Sequence, residues 1–245
     1  MLFKNQNILF VIAHPDDEWF LFEKLKSAKS AKILVLSTST LHFEERKNET
    51  IQFIQKQKIK SISVEFLGDK KQFWDRDCLK HVDDLTNEIA LAVKQQKPDL
   101  IITHDFENGH PDHDATFLAT LRVSLNAQIH TFCFCSYRKG PLGLLTFFNP
   151  LTSTSNFSML NFTIIEFFRM FKQSQHYKVE RLPMSVLGIV GLLSLFLRGG
   201  MRLRNAKEDL GVIQMPDQKS LCYTRYKKDI SDYETALQVF FTSVK

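Results

Sequence analysis

Two stretches of this chain concentrate the side chains that bind metal ions and move protons. One is Ala13-His14-Pro15-Asp16-Asp17-Glu18; the other runs from Thr103-His104-Asp105 through Glu107 to Gly109-His110-Pro111-Asp112-His113-Asp114. Hydrolysis at a zinc centre uses about three protein ligands and keeps a position for water. Water bound there has its pKa lowered toward roughly 7. A neighbouring carboxylate must then take the proton, and a donor must stabilise the oxyanion that forms on an amide carbonyl. His14 and Asp17 are three apart at an expected helix start, so both can face one point, and His110 and His113 share that spacing. Three ligands drawn from this set would leave one Asp and one His for the proton and oxyanion roles. The local inventory alone does not say which residue does which. A plain polar cluster serving a helix dipole would account for Asp16 or Asp17, but it leaves the second stretch unexplained.

The elements around these stretches place them. Asn7–Ala13 is a short apolar run fit for a strand buried on both faces. A helix is expected from about Asp16 to Ala28, then strand Lys32–Ser37, helix Phe43–Lys58 and strand Ser61–Leu67. A long helix, Leu79–Gln96, stops at Lys97-Pro98, and Leu100–Thr103 is the fourth strand. Helix His113–Leu125 and strand Ile129–Tyr137 follow. Such alternation implies right-handed crossovers and a mainly parallel α/β sheet. Ligands of these sheets sit beyond the carboxyl ends of strands, where the strand order reverses. For an order 3-2-1-4-5 that point lies between the first and fourth strands, which are the two that the stretches follow.

Beyond Gly140 the pattern blurs. Pro141–Asn156 reads as loop, Ile164–Gln175 as an amphipathic helix, and Asp232–Phe241 as one more helix. Leu182–Leu197 is sixteen residues without a charge, bounded by Arg181 and Arg198. A spanning helix needs about 20 apolar residues. The alternatives are a buried or oligomer-forming helix, or peripheral contact with a membrane through 182–204, with Arg198, Arg202, Arg204 and Lys207 toward lipid headgroups. The expected organisation is a core over 1–180 and a C-terminal extension over 181–245.

The composition is that of globular material, 44% hydrophobic and 24% charged. A net charge of +5 without a basic stripe interleaved with aromatics does not suggest a nucleic-acid binder. His-Pro-Asp-Asp stands where a dinucleotide-binding turn would carry Gly-x-Gly-x-x-Gly. Cys78 and Cys222 are isolated, and Cys133 and Cys135 alternate along one expected strand as buried small hydrophobes. No framework of disulfides results, and this usage fits a reducing compartment. Met1-Leu2-Phe3-Lys4-Asn5 runs straight into the first strand with no signal-peptide pattern. The expected location is cytoplasmic, or peripheral on the cytoplasmic membrane face.

The two stretches together resemble the paired signatures of the PIG-L/LmbE-like de-N-acetylases, which include the enzyme acting on N-acetylglucosaminyl-phosphatidylinositol. The resemblance implies a Rossmann-like three-layer fold and a single zinc ion held by His14, Asp17 and His113. It also implies Asp16 as general base, His110 as the electrostatic or acid group, and Asp112 as the partner orienting His110. Arg46 and Glu49 resemble the family's Arg-x-x-Glu, in which the arginine helps hold substrate; pairing of the two along a helix face is the plainer reading. Phe171-Lys172-Gln173-Ser174-Gln175 resembles a downstream Ser-Gln element. Departures fall around the substrate. Trp19-Phe20-Leu21-Phe22 replaces a Gly-Gly common in bacterial members and looks like the lipid-sugar branch, and the loop Ser37–Glu44 has no glycine.

The implied substrate is an amino sugar, perhaps N-acetylglucosamine on a lipid, that loses acetate. Rivals are removal of another acyl group from an amino sugar and a silent metal-containing carbohydrate-binding protein. Iron suits the same ligands as zinc. His104 and Asp105 serve either as outer support to the metal ligands or as strand-end caps. His42, His81, His130 and His176 have no partners in the sequence pattern.

Overall fold

Strand β1 (Asn7–Ile12) is buried along nearly its whole length, as a run of NILFVI at the centre of a parallel sheet must be. In the computed structural model, residues 2–37, 42–139, 145–150, 157–207, 210–215 and 230–243 are described. Most of the expected loops Ser37–Glu44 and Pro141–Asn156, and Cys222, lie outside them. After β1 come α1 (Trp19–Leu25), β2 (Ser30–Val35), α2 (Phe43–Lys56), β3 (Ile62–Phe66), α3 (Gly68–Lys71) and α4 (Val82–Gln96). Then follow β4 (Leu100–His104), α5 (Pro111–Ala127), β5 (His130–Phe134), β6 (Tyr137–Lys139), β7 (Leu145–Phe147) and β8 (Ser158–Leu160). Last are α6 (Ile164–Ser174), α7 (Arg181–Val186), a π-helical turn Leu187–Gly191, α8 (Leu192–Leu197), β9 (Met201–Asn205) and α9 (Ile230–Ser243).

Among the described residues the main sheet has seven strands in the order β3-β2-β1-β4-β5-β9-β8. The first five are parallel, and β9 and β8 add an antiparallel edge. Alternate strand residues enter two cores. Ile8, Phe10, Ile12, Ile33 and Ile102 pack with residues of α1, α2, α6, α7 and α8 on one side. Leu9, Val11, Leu34 and Ile101 pack with α4, α5 and α9 on the other. The three-layer α/β expectation holds, and β1 and β4 lie side by side with Ile8 paired to Leu100.

Three boundaries differ from the sequence pattern for local reasons. α1 starts at Trp19 rather than near Asp16, because Asp16 has φ +93°, outside helical space. α5 starts at Pro111, not His113: a proline at the first helical position loses no needed N–H and has its φ preset. The run expected as one strand from Ile129 to Tyr137 is broken at Ser136, whose N–H donates to Glu107 Oε1 (2.6 Å) and leaves the sheet ladder. Beyond it, β6 pairs with β7 in a separate ribbon. Cys133 and Cys135 are both buried free thiols.

The segment beyond 180 is woven into the sheet. β9 pairs with β5, setting Arg204 opposite Cys133. Arg204, grouped by sequence with headgroup-facing arginines, is instead 1% exposed and ion-paired with buried Asp105. No helix of the described residues is long and apolar enough to cross a membrane. Removing one partner of a buried pair strands the other charge. Arg204→Leu is therefore expected to cost on the order of 3 kcal/mol and lower Tm by roughly 10 °C in a thermal melt.

Candidate active site

The loops after β1 and β4 share one crevice because their strands are neighbours. In the first loop the positive φ of Asp16 costs a non-glycine residue roughly 1–3 kcal/mol, so it must be held. Its N–H donates to Glu18 Oε2 (2.9 Å), and the other oxygen of Glu18 accepts from the Tyr177 hydroxyl (2.6 Å). The turn aims the Asp16 carboxylate at Arg46 Nη2, 2.7 Å away; Arg46 also donates to Pro15 O (3.0 Å). Arg46 lies 3.8 Å from Glu180 as well, so it faces the crevice. Glu49 turns elsewhere and accepts from the Lys178 N–H at 2.8 Å.

One oxygen, Asp17 Oδ2, gathers the donors. It accepts from the His14 N–H (2.9 Å) and lies 3.1 Å from His104 Nε2, 3.5 Å from His14 Nδ1 and 3.9 Å from His113 Nε2. In the second loop Asp114 closes the turn by accepting the N–H groups of Glu107 (2.6 Å), Asn108 (3.1 Å) and Gly109 (2.9 Å), with the Tyr233 hydroxyl at 2.7 Å. His110 is the residue before the first turn of α5, and its ring stacks on His113 at 3.7 Å. His113 stacks in turn on His104 at 3.8 Å. The outer nitrogen of His113 meets Glu107 Oε2 at 2.8 Å, leaving Nε2 toward the crevice.

Asp112, expected to orient His110, orients His14. Its Oδ2 lies 3.0 Å from His14 Nε2, and its carboxylate accepts the N–H groups of Arg76 (2.8 Å) and Cys78 (3.3 Å). Asp75 reaches the same His14 nitrogen at 3.1 Å.

Burial raises carboxyl pKa values and lowers those of imidazoles, and neighbours then sort the groups. Asp16 is pushed up to about 7, chiefly by burial and further by Asp17 and Glu18, with Arg46 pulling the other way. For Asp17 burial is outweighed by His104 and His14, which hold it well below the usual carboxylate range. Burial lowers His110 to about 3, with His14 adding to it, and lowers His113 also, with His104 and His110 adding. Burial works against the charged form of His14 too, but hydrogen bonds to Asp112, Asp17 and Asp75 hold it well above its ordinary value. Neutral imidazole and ionised carboxylate are the forms that take up zinc.

Ligand atoms within 4.8 Å of one another occur in three overlapping groups: His14, His110 and His113; Asp17, His104 and His113; and His14, Asp75 and Asp112. The expected ligands His14, Asp17 and His113 are divided among these groups, none of which holds all three, although the His14 and His113 rings lie 3.5 and 3.9 Å from Asp17 Oδ2. The donor set fits a divalent ion: nitrogen and carboxylate ligands, with a carboxylate behind His113 as metal-bound histidines usually have. A cavity of about 320 Å³ opens on them, at the small end of ligand sites. His14, Asp16, Asp17, His110 and His113 form its floor, Arg46, Asp75 and Glu180 its polar rim, and Phe20, Tyr137, Met184 and Leu187 its apolar wall.

Sequence reasoning missed Asp75, which lies in an irregular turn with no periodicity to mark it, and the wall residues from Tyr137 onward. Glu107 stood inside the second stretch, six residues before His113, without a role. Gln173 and Ser174 do not line the cavity: Gln173 donates to Glu23, and the Ser174 hydroxyl to Phe171 O (2.8 Å).

Fold and crevice together define a hydrolytic enzyme of the mainly parallel α/β class. A family model described as PIG-L, GlcNAc-PI de-N-acetylase, matches residues 9–124. Over these residues the chain is similar to that family of de-N-acetylases. Comparison of its sequence with curated proteins gave no match. Among solved structures, a deacetylase in the teicoplanin biosynthesis pathway, in a "bog" complex, superimposes with TM-score 0.60 at 13% identity, over 83% of this chain and all (100%) of that one. The zinc-inhibited form of teicoplanin deacetylase gives 0.56 at 11% identity, over 83% of this chain and 100% of that one. A conserved protein from Thermus thermophilus gives 0.52 at 18% identity, over 82% and 93%.

The dependence of His113 on Glu107 is testable. Glu107 accepts from His113 Nδ1 on one oxygen and from Ser136 N and Tyr137 N on the other, so an amide in its place must turn an NH2 toward groups that need an acceptor. Glu107→Gln is expected to weaken divalent-metal binding at this cluster roughly 10–100-fold in a chelator-competition titration.

Proposed function

We propose that the chain hydrolyses the N-acetyl group of an N-acetylglucosamine-containing substrate, lipid-linked in its natural form, giving acetate and a glucosamine product at the cytoplasmic side. The observation that carries this reading is the shared cavity: Asp16, paired with Arg46, opens onto the same 320 Å³ space as the His14, Asp17 and His113 donors. His14, Asp17 and His113 would hold one zinc ion. When bound, zinc polarises the amide carbonyl and acidifies a water; iron is the alternative metal. The zinc-inhibited form of the teicoplanin deacetylase supports a divalent ion at such a cluster.

The chain's own groups perform the rest. Asp16 takes a proton from the attacking water and returns it to the nitrogen as the carbon–nitrogen bond breaks. His110, kept neutral by burial, presents a donor to the oxyanion on the carbonyl carbon. Asp112 acts by holding His14. Arg46 keeps the Asp16 carboxylate aimed and meets the hydroxyls of the sugar.

Acetate release from soluble and lipid-linked N-acetylglucosamine conjugates tests the reaction. Asp16→Asn should keep its zinc and lose turnover by about 10²–10⁴-fold, whereas His113→Ala should lose zinc. Near-wild-type turnover by Asp16→Asn would remove Asp16 as the base. Release of a different acid would make the enzyme an amidase of another acyl group. Absence of any turnover with zinc bound would leave a carbohydrate-binding protein.

Arg46 also predicts a pH effect. Its charge pulls the Asp16 pKa down, so removing it raises that pKa further. For Arg46→Met the acidic limb of the kcat/KM profile should move up by roughly 1 pH unit or more. An unmoved limb would separate Arg46 from the base.

A further inference from the structure

Two helical segments in the second half of the chain are turned the wrong way for an ordinary core. In α6 the buried residues are Met170, Gln173 and Ser174, while Ile164, Ile165, Phe168 and Phe171 are exposed, Phe168 by 69%. An amphipathic helix that buries glutamine and serine and shows phenylalanine outward is not using its apolar stripe for folding. The run α7–α8 repeats this. Met184, Leu192 and Leu195 pack inward, and Leu182, Val186, Ile189, Leu193, Phe196 and Leu197 recur three or four residues apart on the outer side, all exposed.

The two segments pack on each other through buried Gly188 and Ser174, and at their edge half-buried Phe167 meets exposed Phe196. A Cβ on Gly188 would lie 2.4 Å from Ser174 Oγ and 3.4 Å from the Phe171 ring, and the rings of Phe167 and Phe196 are 5.9 Å apart. An apolar surface of this kind marks a contact site.

Charge selects its occupant. From Ile164 to Lys207 the sequence has eight basic residues and two acidic ones; of the eight, Arg204 is buried against Asp105 and Arg169 lies 3.7 Å from Glu23. Both acids are engaged, Glu166 with Lys24 (2.7 Å) and Glu180 near Arg46 (3.8 Å). Lys172 on α6 and Arg181 at the head of α7 have no ion-pair partner among the described residues. A second copy placed on the same face would set these cations against their own counterparts. An anionic headgroup layer neutralises them. Arg181–Leu197 reaches only roughly 25 Å as a helix, short of the ~30 Å hydrocarbon core, and no described helix is fit to cross a membrane. Such a segment lies in the interface plane.

We infer that the joint outer face of α6 and α7–α8 seats on an anionic lipid surface and sets the mouth of the catalytic cavity against it. The inner side of the same run supplies Met184 and Leu187 to the cavity wall, so docking and access to the site share one element. The inference goes beyond the proposed reaction and is read without turnover.

The test is co-sedimentation of the full chain with phosphatidylcholine vesicles, with and without phosphatidylglycerol. The folded protein should pellet with the anionic vesicles and be released by salt. Ile189→Glu with Leu193→Glu, and separately Lys172→Glu with Arg181→Glu, should each weaken pelleting roughly tenfold or more. Both pairs should melt as the wild type does, since all four side chains are outside the core. Asp16→Asn should pellet like wild type, which keeps this result apart from any failure of the catalytic reading. Wild type remaining in the supernatant, or both pairs binding undiminished, overturns the inference. So does a concentration-dependent dimer in sedimentation that Ile189→Glu with Leu193→Glu dissolves, with no vesicle binding; the face would then join copies of the chain.

Discussion

An ionised carboxylate in a dry crevice is the constraint around which this molecule is arranged. Unpaired, such a group would cost more than a domain's whole margin of stability. Asp17 Oδ2 is spared that by a backbone N–H and by the nitrogens of His14, His104 and His113 around it. Each imidazole then needs a partner for its other nitrogen. Asp112 and Asp75 serve His14, Glu107 serves His113, and Ser136 Oγ lies 3.3 Å from His104. Glu107 and Asp112 take backbone N–H groups in their turn, which breaks β5 from β6 at Ser136 and fixes the turn before Cys78. Local irregularities of the sheet are thus the outer rings of one electrostatic problem.

The family model ends at residue 124, close to the end of α5. His14, Asp16, Asp17, Arg46, His110, Asp112 and His113 all fall within it. Tyr137, Glu180, Met184 and Leu187, which wall the cavity, fall beyond it. Much of the apolar wall therefore comes from beyond the matched residues, while Phe20 and the rim residues Arg46 and Asp75 lie within them. At 11–13% identity with the teicoplanin deacetylase structures, the shared fold says little about the part beyond the match.

The parallel half of the fold was legible because its strands are unbroken apolar runs and its helices are long. The His and Asp cluster was legible for a related reason: His14, Asp16, Asp17, His110 and His113 sit in two short stretches, each following a strand of the switch point. What escaped the sequence depends on contacts across long separations. Asp75 meets His14 from 61 residues away, and no periodicity marks it. β9 reads as a basic stretch, MRLRN, because Arg204 looks like surface until Asp105 is known to be opposite it. The contact of Asp112 with His14 was not foreseen, because sequence adjacency to His110 says nothing about the rings a carboxylate meets after α5 has turned.

Three acids in the two site stretches are clasped by residues from late in the chain: Glu18 by Tyr177, Asp105 by Arg204 and Asp114 by Tyr233. During synthesis, the residues named as ligand and base are all made by the time α5 is complete. A nascent chain that has emerged only through α6 holds every one of them and none of the three clasps. The crevice is thus finished in the order its fastenings arrive, from the strained turn at Asp16 to the loop before α5. None of the three clasps can close until residues well beyond the site have left the ribosome.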